Sequence, residues 1–175
     1  LRLVRFDKPV GTILTLWPGV WGLTLASSGV LPPAQLTAVF AAGALLVRSG
    51  GCVINDIWDK KFDARVARTR LRPLASGELS TKQAVVTLAV CMGAASSTLF
   101  FLNDFTRVLA VCSLLPVAVY PAMKRITWYP QVALGATFNW GALMGVSAVT
   151  GTLDASAVLL YLGCASWTVA YDTIY

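Results

Sequence analysis

The sequence predicts an all-α, polytopic transmembrane helix bundle, and three observations predict it. Hydrophobic residues make up 57% of the 175-residue chain and charged residues only 13%, about half the charge of a soluble domain. Mean hydropathy is +0.69. The apolar residues lie in long continuous runs without the alternation of barrel strands, so each run reads as a spanning helix.

Six runs follow one another, at residues 10–27, 34–54, 84–102, 108–123, 131–150 and 155–171. Each is roughly 16–21 residues, against the ~20 that cross ~30 Å of hydrocarbon. The first is too long for a signal-peptide core and contains Trp17, Pro18 and Trp21, so it is read as a span. Glycines recur within the others (Gly43, Gly50, Gly51, Gly135, Gly141, Gly145), as close helix packing in lipid requires. The whole, residues 1–175, is one transmembrane domain. It starts at Leu1 rather than Met and stops at Tyr175, just after an acid that ends an apolar run, so a C-terminally truncated piece of a longer protein is expected.

Composition excludes much chemistry. The chain has no histidine, which removes His-based triads and His-ligated zinc or haem. Cys52, Cys91, Cys112 and Cys164 form no CxxC pair and read as small apolar core residues. Charge sets orientation. Twelve of the fourteen Lys and Arg residues fall on one side of the predicted bundle, in the N-terminal segment, the 55–83 loop and the Lys124–Arg125 turn. Only Arg107 falls on the other side, and Arg48 lies within the second run. This split marks the basic face as the inside. The net charge of +6 is therefore a topology signal rather than a nucleic-acid surface.

The inside face also carries acids in a pattern. Asp56, Asp59 and Asp63 share one helix face with Asn55 where the second run leaves the membrane. Three close carboxylates repel unless a cation sits among them, and all-oxygen ligands suit Mg²⁺ beside a phosphate. A solvated helix end balanced by Lys60, Lys61 and Arg65 is the alternative. Arg65, Arg68, Arg70 and Arg72 follow within eight residues, which adds oxyanion-binding groups next to the acids. Those arginines could instead serve topology alone. Arg48 is an intramembrane arginine, which usually marks function; it shares the Asn55 face two turns deeper, or else packs against an acid or carbonyls. Asp172 ends the sixth run on the Asp56 side, four helices later, which hints at a parallel internal repeat.

At these residues the sequence resembles the intramembrane aromatic prenyltransferases of the UbiA superfamily. The family's first acidic motif, NDxxDxxxD, is matched by Asn55, Asp56, Asp59 and Asp63. The segments 5–11 with Trp17–Pro18, 51–54, 68–77, 120–125 with Pro130–Gln131, and 171–175 are similar to further family signatures. The resemblance implies nine helices, of which this chain holds six, and a second acidic motif that the chain enters at Asp172 without its later acids. It implies a Mg²⁺-dependent transfer of a polyprenyl group from polyprenyl diphosphate to the ring of 4-hydroxybenzoate, a step of ubiquinone biosynthesis. Asp56, Asp59 and Asp172 would be catalytic and hold the metal. Lys60, Arg65 and Arg68 would take diphosphate oxygens and Lys124 would cap them. Asn55, Asp63 and Tyr120 would complete the substrate-binding set, with Arg48 on the aromatic carboxylate. Other aromatic acceptors (homogentisate, naphthoate, haem or chlorophyllide type) use similar motifs. A transporter is the rival class, although transporter sites usually lie nearer the midplane. The implied setting is the mitochondrial inner membrane with the basic loops in the matrix, or a bacterial inner membrane, in contact with lipid and other ubiquinone-biosynthesis proteins.

Overall fold

The computed structural model describes residues 2–7, 9–28 and 31–174, with the side chains of all but Lys124 and Arg125. Its helices are α1 (Val10–Ala26), α2 (Ala34–Asp63), α3 (Thr81–Thr98), α4 (Asp104–Cys112), α5 (Leu114–Ile126), α6 (Pro130–Phe138), α7 (Trp140–Thr150) and α8 (Ala155–Ile174). A single 3-10 turn, Leu99–Phe101, extends α3. Among the described residues five stretches are long and apolar enough to cross a membrane, and α1 is a shorter apolar helix of 17 residues. The six expected runs are thus six helical passages.

Two of the passages are interrupted. The fourth run divides at Ser113 into α4 and α5, and the fifth at Asn139 into α6 and α7. Pro116 lacks an N–H for the carbonyl four residues back, which lies at the first break. At the second break Asn139 leaves helical geometry, with φ −94° and ψ 4°. Backbone groups freed in lipid must find partners; at the second break a side chain supplies one, and two more side chains brace carbonyls that already accept a backbone N–H. Asn139 Nδ2 donates to the Gly135 carbonyl at 2.8 Å. Tyr161 Oη donates to the Ala136 carbonyl at 3.0 Å, the one an unbroken helix would pair with residue 140. Trp140 Nε1 donates to the Leu109 carbonyl at 2.9 Å, beside the first break.

The other difference from the sequence reading lies in α2. At 30 residues it is roughly 45 Å long, more than the hydrocarbon needs. The expected inside loop over 55–83 is therefore helical to Asp63, and irregular chain is confined to 64–80. No glycine or proline interrupts residues 52–72, and Lys60 and Lys61 in the last turn suit the negative helix end. The loop ends at Ser80, which forms a capping box with Gln83 to start α3.

Glycines set the closest packing. Gly19 and Gly22 of α1 face Gly141, Ala142 and Gly145 of α7; a Cβ on Gly145 would lie 2.3 Å from the Gly19 carbonyl oxygen. α2 packs mainly on α3, around a small core of Leu3, Val53, Leu74 and Ala84. Cys52, Cys91 and Cys164 are buried as expected, but Cys112 is exposed. It sits on the outward face of the short α4, where a thiol meets lipid as readily as it would a core.

Candidate functional site

The acidic end of α2 is built on one helix face. Asp56 and Asp63 are seven residues apart, two turns, so their side chains point the same way. Both are buried, and neither faces the other unscreened. Arg72 Nη1 lies 3.2 Å from Asp56 Oδ1 and 2.7 Å from Asp63 Oδ2, bridging them. Arg5 Nη2 donates to the same Asp56 oxygen at 3.1 Å. The repulsion expected between these carboxylates is relieved by arginines of the chain itself.

Residues 2–7 lie across this end as a strap. Leu3 is buried against Val53, Leu74 and Ala84. Arg2 pairs with Glu78 in the 64–80 loop, and Arg5 reaches Asp56. Arg5 has φ 52°, a left-handed conformation that costs a side-chain-bearing residue about 1–2 kcal/mol. The strap and the loop are held to each other as well as to α2.

The expected oxyanion set is not gathered at these acids. Lys60 Nζ donates to Thr81 Oγ1 at 3.1 Å, tying α2 to α3. Arg65 and Arg68 are exposed. Arg72 and Arg5 stand where those residues were expected. The arginine run contained Arg72, but nothing in the spacing singled it out, and Arg5 lies 51 residues from its partner. The side chain of Lys124, expected as a cap, falls outside the described residues, as do Lys8 and Tyr175 entirely.

A second group forms around Tyr120 of α5, which lies within Coulombic reach of Asp172, Arg48 and Asp59. This brings the two acidic helix ends, of α2 and α8, to one end of the bundle. Arg48 stacks on Phe138, with Cζ 5.5 Å from the ring centroid. Its guanidinium also lies against Gly11, where a Cβ would come within 2.5 Å of Nε. Asn55 and Asp59 are half-buried nearby on α2.

Asp172 closes one end of a cleft of about 290 Å³ between α1, α6 and α8. Trp17, Trp21, Phe138, Trp167 and Tyr171 line it, together with Asn139. Trp167 and Tyr171 stack with centroids 5.5 Å apart and planes 7° from parallel. Asn139 also donates to Thr168 Oγ1 at 2.8 Å. Sequence reasoning passed over Asn139; an amide inside an apolar run is the same kind of signal that drew attention to Arg48.

The donor chemistry suits a hard divalent cation. Every candidate is a carboxylate, and a positive guanidinium nitrogen already bridges two of them. Among the described residues no three acids converge tightly enough to cage an ion. Mg²⁺ commonly needs only one or two carboxylates when phosphate oxygens complete its shell.

A bundle of apolar helices with an aromatic cleft that reaches the charged Asp172 defines an intramembrane protein. The chain belongs to the UbiA prenyltransferase family, whose description matches residues 15–175. It is 48% identical over 177 residues to "4-hydroxybenzoate polyprenyltransferase, mitochondrial" of Caenorhabditis elegans, covering 100% of this chain and 50% of that protein. The Bos taurus protein of the same name is 49% identical over 177 residues, covering 100% of this chain and 48% of that one. "4-hydroxybenzoate octaprenyltransferase" of Ectopseudomonas mendocina (strain ymp) is 48% identical over 175 residues, covering 100% of this chain and 59% of that one. The chain thus spans about half the length of the curated relatives it matches. The solved apo structure of a UbiA homolog from Aeropyrum pernix K1 superposes with TM-score 0.79 at 24% identity, covering 96% of this chain and 63% of that one. That likeness is one of fold.

Proposed function

We propose that the protein transfers a polyprenyl group from polyprenyl diphosphate to the ring of 4-hydroxybenzoate, as the names of its relatives suggest and as ubiquinone synthesis requires. One observation carries the reading: the aromatic cleft ends on Asp172, at the same end of the bundle as Asp59, Arg48 and Tyr120. The diphosphate head belongs at this charged end and the isoprenoid in the cleft. Asp56 and Asp59 on α2 and Asp172 on α8 would hold Mg²⁺ through one or two carboxylates per ion, with phosphate oxygens completing its shell and Asp63 and Asn55 beside them. The bound ion would supply positive charge to the leaving diphosphate. Arg72, Arg5 and the exposed Arg65 and Arg68 offer guanidinium forks for the remaining oxygens.

Departure of diphosphate leaves an allylic cation next to Trp167 and Tyr171, whose ring faces stabilise positive charge. The 4-hydroxybenzoate ring attacks beside its hydroxyl and then loses a proton. Arg48 would hold the carboxylate of the acceptor, since a planar guanidinium meets a carboxylate through two parallel hydrogen bonds. The matching location is the mitochondrial inner membrane, or the inner membrane of a bacterium, with the basic loops inside.

The test is product formation in membranes that contain the full-length protein, polyprenyl diphosphate and 4-hydroxybenzoate. Prenylated hydroxybenzoate and free diphosphate are expected in equal amounts. Prenylation of homogentisate or a naphthoate in preference would reassign the acceptor. Solute flux without product would end the enzyme reading. For orientation, a cysteine placed at Ser76 should react with an impermeant reagent only from the matrix or cytoplasmic side.

A further inference from the structure

Asp56 is gripped from two directions along the chain. Arg5 approaches from the strap at residues 2–7 and Arg72 from the loop at residues 64–80, and both meet the same oxygen, Oδ1. The Asp56 side chain is only 3% exposed, so a further cation cannot join it unless one guanidinium leaves. Arg72 Nη1 also holds Asp63 at 2.7 Å and therefore occupies the space between two carboxylates where a shared cation would sit. A dication would meet two positive groups at contact distance, so the two occupancies exclude one another. The strap itself is fastened at Arg2–Glu78, at buried Leu3 and at Arg5 with its left-handed backbone.

We propose that Arg5 and Arg72 form a latch on the acidic end of α2 that competes with a divalent cation for Asp56 and Asp63. A divalent cation displaces the arginines, and the strap and loop loosen together. The inference rests on the cation-binding reading of Asp56 given above and adds a coupling to it. Because linkage is reciprocal, whatever loosens the latch must also strengthen cation binding. The two arginines act here as positioning residues for Asp56 and Asp63.

The experiment uses the full chain in detergent or nanodiscs, with Mn²⁺ as the probe and no prenyl diphosphate. Arg72→Gln should bind Mn²⁺ about tenfold more tightly than the unmodified protein, since a charge-assisted competitor is gone. Arg5→Gln should shift in the same direction by less. Arg72→Lys retains the charge and should keep much of the original affinity. Where Arg72→Gln does not fold, Arg5→Gln and amide exchange on the unmodified protein carry the test. On adding Mn²⁺, exchange should accelerate in residues 2–7 and 64–80 and stay unchanged in α1 and α7. Weaker or equal Mn²⁺ binding by the glutamine variants overturns the latch, as does slowed exchange in the loop. No Mn²⁺ binding by any of the proteins overturns the cation reading itself. Neither readout depends on prenyl transfer.

Discussion

Along the α1–α7 seam, backbones approach so closely that no side chain fits between them, whereas at the end of α2 the neighbours are joined by charged side chains reaching across. In the seam a Cβ on Gly22 would lie 2.4 Å from the Ala142 carbonyl oxygen. Contacts of that kind are van der Waals packing, which is what holds helices together in lipid, and no ligand can replace them. At the α2 end Asp56 and Asp63 are held by Arg5 and Arg72. Ion pairs can be exchanged for other charges of the same sign. The molecule therefore has one joint that resists change and one that can trade partners, and the candidate site is built on the second.

Four predictions break or sharpen this contrast. Asp56→Asn should reduce turnover by about 10²-fold or more, as the loss of a group aimed at transition-state charge commonly does, while α1 and α7 stay packed. Near-normal turnover with intact folding would remove Asp56 from the chemistry. At the seam the opposite split is expected. Gly145→Ala should destabilise the bundle by about 1–3 kcal/mol through overpacking, seen as a lower melting temperature in detergent. Gly163→Ala is its control, since a Cβ there meets nothing within 4 Å. Equal melting of the two variants would show that the seam yields.

Arg48 lies between these regions, stacked on Phe138 and pressed on Gly11 of α1. Arg48→Lys should raise KM for the aromatic acid more than for the diphosphate, a loss of about 1.5–3 kcal/mol for one charge-assisted hydrogen bond. Equal shifts on both substrates would return Arg48 to a packing role. The smallest effect is expected at Asp154, in the turn between α7 and α8. Its carboxylate accepts from the Ala157 N–H at 2.9 Å and the Ser156 hydroxyl at 2.8 Å. These hydrogen bonds hold its pKa below the usual carboxylate range. A lowered folded-state pKa gives stability that is present above the unfolded value of about 3.9 and fades as pH falls through the folded value. Melting curves below about pH 4 should therefore drop slightly more for the unmodified protein than for Asp154→Asn. Identical curves would show that this cap contributes nothing.

The long apolar runs, the glycines within them and the face shared by Asp56 and Asp63 were all legible in the sequence. Each depends on spacing along one helix, and helix periodicity converts spacing into direction. The chain's membership of an intramembrane transferase family was legible too, through acidic and basic motifs that stand close together in sequence. What tertiary structure alone decided are the relations between segments. Arg5 meets Asp56 across 51 residues, Tyr161 satisfies a carbonyl freed at the Asn139 break, and α1 finds its tightest neighbour in α7. Local pattern cannot specify such pairs, because any of the chain's arginines, tyrosines or glycine faces offers the same chemistry. Which one arrives is settled only when the helices pack and every buried charge and freed backbone group must find a partner within reach.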